Sequence, residues 1–264
     1  MFEYEFMQNA FLASTFIALT TGIVGVFVTA RGMSFLAHTL SEIGFAGAAF
    51  AVLVGIPPLD GMLLTTILSS LSVGRLAVRP GRREASISAI SSLFIGLGIL
   101  FLALSSKSSS YATTILFGSI IGISRADVWQ LVALAVGVLL TMTIGYRGLA
   151  FDSFDPVGAQ AQGLRRNLLS IYFLLILAIS VSIGAQIVGS MLVFILLTLP
   201  SAVAQYLGKT LPQMIAISVG TALVGVWLGL FLGYVTNWPV TFFIAVIECA
   251  FYLVALTIRN RRER

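Results

Sequence analysis

Long apolar runs limit what this chain can fold into more than any other feature of its sequence. Each run is about 20 residues long, the length at which an α-helix crosses about 30 Å of hydrocarbon. Only 9% of the residues are charged, against about 25% in a soluble domain. Strands of a membrane barrel would be shorter and would alternate apolar with polar residues, a pattern that these runs lack. The sequence therefore predicts an all-α, polytopic bundle of membrane helices.

The number of membrane-spanning helices is predicted to be eight or nine, all within one transmembrane domain over residues 1–264. Residues 112–123 are too short for a span and are predicted to form an interfacial or re-entrant helix. No polar loop separates the sixth and seventh runs, so a turn is predicted near residues 184–189. The apolar runs lie at about residues 10–30, 34–55, 61–78, 86–104, 126–146, 168–186, 188–207, 213–234 and 240–258.

The basic residues between the runs predict the orientation of the chain, because loops on the cytoplasmic side carry most of the lysine and arginine. With nine spans, the N-terminus is expected outside and the C-terminus in the cytoplasm. The net charge of +5 follows from this distribution and gives no indication of nucleic-acid binding. The predicted outer side carries Glu3, Glu5, Asp60, Lys107, Arg125 and Asp127. The predicted cytoplasmic side carries Arg31, Arg75, Arg79, Arg82, Arg83, Arg147, Arg165, Arg166, Lys209, Arg259, Arg261, Arg262 and Arg264.

The second run contains the chain's one histidine, His38, and a carboxylate four residues later, Glu42. This spacing places both side chains on one face of a helix, about 6 Å apart along its axis. Imidazole nitrogen and carboxylate oxygen both bind divalent transition metals. Ionisable residues inside a span usually face the bundle interior or a water-filled path. The pair is interpreted as a metal site on a transport path, with two alternatives: a hydrogen-bonded contact between helices, or placement of both residues at the cytoplasmic interface near Arg31.

Glu248 is the other carboxylate inside a run, near the middle of residues 240–258. It could be a third metal ligand, a proton carrier, a hydrogen-bond acceptor for a neighbouring helix or part of a dimer contact. A structural role is favoured, because no second ionisable residue accompanies it in that run.

The chain lacks the residues of an enzyme. One histidine and one cysteine, Cys249, cannot supply a hydrolytic triad, a pair of haem ligands or a zinc cluster. The sequence GKT at 208–210 lacks the first glycine of a phosphate-binding loop, because Val203 stands at that position. If the protein does work, its energy is therefore expected to come from an ion gradient or a separate ATPase.

The segment FDSFDPVGAQAQGLRRN, residues 151–167, has the pattern of a short helix on the predicted cytoplasmic side. Asp155 suits the N-cap, Pro156 the first helical position and Gly163 the stop. Ala159 lies in the middle of this segment. Either the helix docks a cytoplasmic partner or it is an ordinary interfacial connector.

Five segments, spread in order along the chain, share a likeness to one family: MSFLAHTLSEIGFAG (33–47), GRREASISAISSLFIGLGILFLAL (81–104), LFGSIIGISRADVW (116–129), FDSFDPVGAQAQGL (151–164) and GAQIVGSMLVFILLTLPSAVAQYL (184–207). Together they resemble the permease subunits of bacterial ABC importers for manganese, zinc and iron. The family's second span carries an Asp and, four residues later, a His. Here His38 and Glu42 exchange the two ligand types, which keeps one nitrogen and one oxygen for Mn²⁺, Zn²⁺ or Fe²⁺.

The resemblance implies an assembly in the bacterial plasma membrane. Two copies of the permease would enclose one path, a cytoplasmic ABC ATPase dimer would bind ATP beneath them, and an extracellular metal-binding protein would deliver the ion. The residues Asp155, Pro156, Ala159 and Gly163 would belong to the coupling helix that contacts the ATPase. The metal would be cargo, and no cofactor would be bound permanently.

Two other functions stay open at this point. A permease of an ABC importer for metal chelates or cobalamin would need a wide cavity and would have no need of the His38–Glu42 pair. A proton-coupled secondary transporter would use Glu42 or Glu248 as its proton carrier. Such transporters often contain internal repeats, and the sequence shows none.

Overall fold

The computed structural model describes residues 4–76, 80–105, 116, 118 and 123–262, with the backbone alone for 73–76, 80–86 and 262. In these ranges the chain forms ten helices and no strand, which confirms the all-α bundle. The helices are α1 (Glu5–Ala30), α2 (Ser34–Val54), α3 (Pro58–Leu76), α4 (Pro80–Leu104), α5 (Arg125–Phe154), α6 (Pro156–Ala161), α7 (Arg166–Val188), α8 (Ser190–Leu207), α9 (Leu211–Thr236) and α10 (Val240–Arg262).

Eight of the described helices, all except α3 and α6, are long and apolar enough to cross a membrane. Helix α3 takes the place of the predicted run 61–78, but its side chains are described only as far as Ser72, so the ninth span stays a prediction. The predicted helix at 112–123 lies outside the described residues, apart from 116, 118 and 123. The same holds for Glu3, Arg79, Lys107 and Arg264, and for the side chains of Arg75, Arg82, Arg83 and Arg262.

Helices α1, α2, α7 and α8 form the centre of the bundle. In the most apolar window of α1 and of α2, 67% of the residues are buried, against 17% in α10. Helices α4, α5, α9 and α10 instead turn large apolar side chains outward, as at Leu104, Ile144 and Trp227. Lipid tails are as apolar as these side chains, so the outer faces need no protein cover.

The glycines at four-residue spacing on α9 pack this helix closely against α10. Side chains of α10 lie where a methyl group on Gly225, Gly229 or Gly233 would stand. The contact partners are Glu248, Ile244 and Val240, one for each glycine. The three glycines therefore let α9 and α10 pack closely within the bundle, as small residues at this spacing allow.

Gly189 ends α7 and begins the turn into α8 with a φ of 87°, a conformation that favours glycine. The turn predicted near residues 184–189 is confirmed. Pro200 is predicted to kink or break its helix, and the prediction of a break is wrong: α8 continues through it from Ser190 to Leu207. Pro200 is buried among neighbouring helices, and such packing lets membrane helices tolerate the lost backbone hydrogen bond.

Charged residues mark the two ends of α1. Glu5 in its first turn pairs with Arg125 at the start of α5, with Oε1 and Nε 2.5 Å apart. Arg31, directly after its last residue, pairs with Asp152 near the end of α5 at 2.8 Å. The 26 residues of α1 span about 39 Å at 1.5 Å per residue. The end of the bundle that carries Arg31 and Asp152 is called the basic end below, and the end with Glu5 and Arg125 the opposite end.

Candidate functional site

Helix α2 carries the His38–Glu42 pair one turn from the basic end. A short link through Gly32, whose φ is 63°, leads from α1 into α2. As their spacing predicts, the two side chains lie on one face, with His38 Nε2 3.4 Å from Glu42 Oε1. The side chains are 34% and 21% exposed, so neither is sealed inside a helix contact.

The pair borders a cavity of about 150 Å³ between α2, α4 and α8. Apolar side chains form most of its wall, and the hydroxyl groups of Ser41 and Ser190 add to it. The lining residues are His38, Ser41, Glu42, Phe45, Ile95, Ile99, Leu116, Ser190 and Met191. Two ionisable groups thus face a small, otherwise largely apolar space.

Neighbouring helices hold the two side chains in place. Ser91 of α4 donates a hydrogen bond to Glu42 Oε2, which leaves Oε1 directed toward the imidazole. The His38 ring packs on the Phe194 ring of α8, with centroids 4.7 Å apart. The other imidazole nitrogen, Nδ1, is buried and finds no hydrogen-bond partner among the described residues. The imidazole is therefore oriented by packing and not by a hydrogen bond.

The spacing of the pair suits two ligands of one ion. Two atoms each about 2.1 Å from a metal lie about 3.0 Å apart at a right angle and about 3.4 Å apart at a tetrahedral angle. The observed separation of 3.4 Å between Nε2 and Oε1 matches the second value. Among the described residues no group of three His, Cys, Asp or Glu side chains comes together, so other ligands would be water, hydroxyl or carbonyl oxygen.

The alternative of a hydrogen-bonded contact between helices is supported in part, because the bond between Ser91 and Glu42 joins α4 to α2. Ser91 is not among the residues that the sequence pattern predicts for this site. The available signal was the row of serines in SISAISS, residues 86–92, polar positions at the start of an apolar run.

Glu248 lies apart from the pair and does not line the same cavity. Its side chain is fully buried in α10 against Gly225 of α9. Neither carboxylate oxygen has a hydrogen-bond partner within the part of the chain that the structure describes. This placement gives no support to a third-ligand role.

The short helix α6 follows α5 at the basic end. The Asp155 carboxylate accepts a hydrogen bond from the Gly158 N–H at 2.9 Å, and Pro156 is the first helical residue. Ala159 is buried, while Val157 is 79% exposed. Gly163 follows the helix with a φ of 78°. The N-cap at Asp155, the first helical residue at Pro156 and the end before Gly163 therefore lie where the sequence predicts them.

A groove of about 560 Å³ adjoins this helix. Arg147 and Lys209 stand on its wall, and neither forms an ion pair with another described residue. The groove is lined by Tyr146, Arg147, Ala150, Phe151, Phe154, Asp155, Lys209, Leu211 and Met214. The basic end therefore presents a short helix beside an apolar groove with two cations.

The fold and the site together define a multi-pass membrane permease. Residues 3–259 match the family described as the ABC 3 transport family. The chain belongs to the ABC 3 transport family. This match, together with the relatives that follow, confirms the resemblance to permeases of metal ABC importers.

Relatives along nearly the whole chain have manganese in their names. The manganese import system permease protein ScaB of Streptococcus gordonii is 32% identical, over 99% of this chain and 94% of its own length. The ScaB protein of Streptococcus parasanguinis is 30% identical over the same shares. The manganese transport system membrane protein MntC of Listeria monocytogenes is 30% identical, over 90% of this chain and 85% of its own.

Two solved structures share the fold. PsaBC from Streptococcus pneumoniae in complex with Fab matches with a TM-score of 0.84 and 27% identity, over 96% of this chain and 91% of that one. An inward-facing putative metal-chelate type ABC transporter matches with a TM-score of 0.67 and 18% identity, over 96% and 84%. The second likeness concerns the fold alone.

Proposed function

We propose that this chain is the permease subunit of an ATP-driven importer whose cargo is manganese, bound in transit by His38 and Glu42. One observation carries the proposal: an imidazole nitrogen and a carboxylate oxygen stand 3.4 Å apart on a cavity inside the bundle. The names of the relatives support manganese over zinc and iron. A mixed nitrogen and oxygen pair suits all three ions, while the lack of a sulfur ligand disfavours copper(I).

A pair of protein ligands suits transport better than storage. An ion held by two side chains and by water can be released again, whereas a closed shell of protein ligands would retain it. Glu42 contributes the negative charge and His38 the nitrogen, which must be neutral to bind a metal.

The test is manganese uptake into liposomes that contain the permease with its ATPase and binding protein. Glu42→Gln keeps the size of the side chain and its bond to Ser91 but removes the charge. We expect this variant and His38→Ala to lose uptake, while the control Glu248→Gln, at the buried carboxylate that does not line this cavity, keeps it. Near-normal uptake by both site variants would remove the pair from the mechanism.

The whole chain, residues 1–264, forms one transmembrane domain in this proposal, with the segment 151–167 as its cytoplasmic coupling part. A second copy of the chain completes the path within the bilayer. The basic end faces the cytoplasm, in agreement with its arginines. The N-terminus is then outside and the C-terminus inside, and an extracellular metal-binding protein delivers the ion to the opposite end.

Helix α6 docks the ABC ATPase dimer, which binds and hydrolyses ATP. Asp155, Pro156 and Gly163 fix its start and its end, and Ala159 anchors its buried side. The exposed Val157 and Phe154, 79% and 51% accessible, offer apolar contact area to the ATPase.

Co-purification tests this docking role. Val157→Asp places a charge on the exposed side of α6 without touching its cap, and it should reduce the amount of ATPase that purifies with the permease. Ala159→Pro, which removes the N–H that bonds to the Asp155 carbonyl, should do the same. The matched control is Ile56→Asp, at an exposed apolar residue between α2 and α3. A normal ATPase ratio in both α6 variants would contradict the docking role.

A further inference from the structure

A buried ion pair joins α1 to α5 at the basic end. Arg31 Nη2 lies 2.8 Å from Asp152 Oδ2, and the two side chains are only 7% and 4% exposed. In addition to this ion pair, Arg31 Nε donates a hydrogen bond of 2.8 Å to the Ser153 hydroxyl. One guanidinium group thus binds two consecutive residues in the last turn of α5.

Helix α7 closes this cluster from another side. The Arg31 guanidinium lies over the Phe173 ring, 4.8 Å from its centroid. Arg166, at the start of α7, stands with its Nε 3.6 Å from Asp152 Oδ1 and is 60% exposed. Burial lowers the pKa of Arg31, and the neighbouring Asp152 acts in the opposite direction. Asp152 is therefore what compensates the buried charge of Arg31.

On one side the cluster leads directly to the metal pair. Only Gly32 and Met33 separate Arg31 from the first residue of α2, and His38 lies four residues further on. Backbone bonds hold this link: Gly32 N–H to the Thr29 carbonyl at 3.1 Å, and Met33 N–H to the Val28 carbonyl at 2.8 Å. Because this link is short and hydrogen-bonded, a displacement of Arg31 is passed on to α2.

On the other side the cluster leads directly to α6. Ser153 is followed by Phe154, the last residue of α5, and then by Asp155, the cap of α6. The Asp155 N–H bonds to the Phe151 carbonyl at 2.9 Å, so no free loop lies between the two helices. The Arg31–Asp152 ion pair thus joins the segment that leads to the proposed docking helix α6 with the segment that leads to the proposed metal pair on α2.

We propose that Arg31 and Asp152 are positioning residues that transmit movement of α6 to α2, so that the nucleotide state of the ATPase sets where the His38–Glu42 pair stands relative to Ser91 of α4 and Phe194 of α8. The inference rests on the proposed function. A buried ion pair resists separation more than apolar contacts do, because separating its two side chains leaves a buried charge without compensation. Movement at α6 then shifts α2 as a unit. A brace without a coupling role would contribute to stability and assembly alone.

The experiment uses the complete complex in liposomes and the double variant Arg31→Met/Asp152→Asn. Removing both charges avoids an uncompensated buried charge, and so this variant is expected to fold and to assemble with the ATPase. Three quantities are measured: ATP hydrolysis without cargo, hydrolysis with the manganese-loaded binding protein, and manganese ions transported per ATP. The control is Trp227→Phe, which removes a 3.0 Å hydrogen bond from α9 to Thr15 of α1 that lies off the path between α6 and α2.

We expect the double variant to hydrolyse ATP but to transport about fivefold fewer ions per ATP, the lower end of typical coupling between sites. Arg31→Lys, which keeps a charge, should recover part of this ratio, and the control should match the unaltered complex. A ratio in the double variant equal to that of the unaltered complex would overturn the inference, whatever the yield or melting temperature. The proposed function fails separately, if the unaltered complex takes up no manganese at all.

Discussion

Shortening Glu42 by one methylene group tests the spacing of the metal pair. The Nε2 and Oε1 atoms of His38 and Glu42 are 3.4 Å apart. Glu42→Asp withdraws the carboxylate by about 1.5 Å, the length of one carbon–carbon bond. The gap then grows to as much as about 4.9 Å, while two ligands at about 2.1 Å from one ion cannot be more than about 4.2 Å apart. The charge is kept, yet one ion can no longer contact both residues unless their side chains or the backbone between them rearrange.

The expected result is a rise in the KM for manganese uptake of about tenfold or more, by analogy with the loss of a supporting group at a metal site. Uptake is measured in liposomes over a range of manganese concentrations with the binding protein present. Ser91→Ala separates ligation from orientation, because it removes the hydrogen bond to Glu42 but keeps the full-length carboxylate. We expect a smaller rise for Ser91→Ala than for Glu42→Asp.

The matched control changes a carboxylate by one methylene group elsewhere. Glu248→Asp makes the same change in α10, apart from the cavity that the pair borders, and should leave the KM unchanged. A KM within twofold of the unaltered value for Glu42→Asp would refute the reasoning, because an ion that tolerates this gap is not held by both residues.

Two further predictions concern stability, measured as the melting temperature of the purified permease in detergent. Gly229→Ala places a methyl group against the side chain and backbone of Ile244 on α10 and should cost about 1–3 kcal/mol, whereas Gly220→Ala on the same helix has open space and should cost nothing. Equal melting temperatures would contradict the close packing of α9 on α10. Arg31→Met alone should cost about 3 kcal/mol, because the buried Asp152 then keeps only the exposed Arg166, 3.6 Å away, as a partner, and adding Asp152→Asn should recover most of that loss. Additive losses in the double variant would show that the two charges do not interact.

The positions of the helices could be predicted well, because a membrane span needs a long apolar run and little else. Their ends were less predictable. Helix α5 continues to Phe154, well beyond the predicted end at 146, because Arg147 at its polar end does not stop a helix. What stops it is Asp155 and Pro156, the same residues that correctly predict the start of α6.

The candidate site was predictable only where it is local in sequence. His38 and Glu42 share a face because they are four residues apart, which the helix geometry fixes. The partners that orient them, Ser91 and Phe194, come from other helices and depend on how the bundle packs. The contact between Arg31 and Asp152 likewise depends on how the bundle packs. The sequence predicts only that both residues lie on the cytoplasmic side, Arg31 among the basic residues and Asp152 within residues 151–167.

The central claim, that His38 and Glu42 share the transported ion, is tested most directly by locating manganese in the assembled complex. Anomalous scattering at the manganese absorption edge, from crystals of the complex loaded with the ion, would give its position. We predict a peak about 2.1–2.2 Å from both His38 Nε2 and Glu42 Oε1. An ion bound elsewhere along the path, with neither residue in contact with it, would contradict this account.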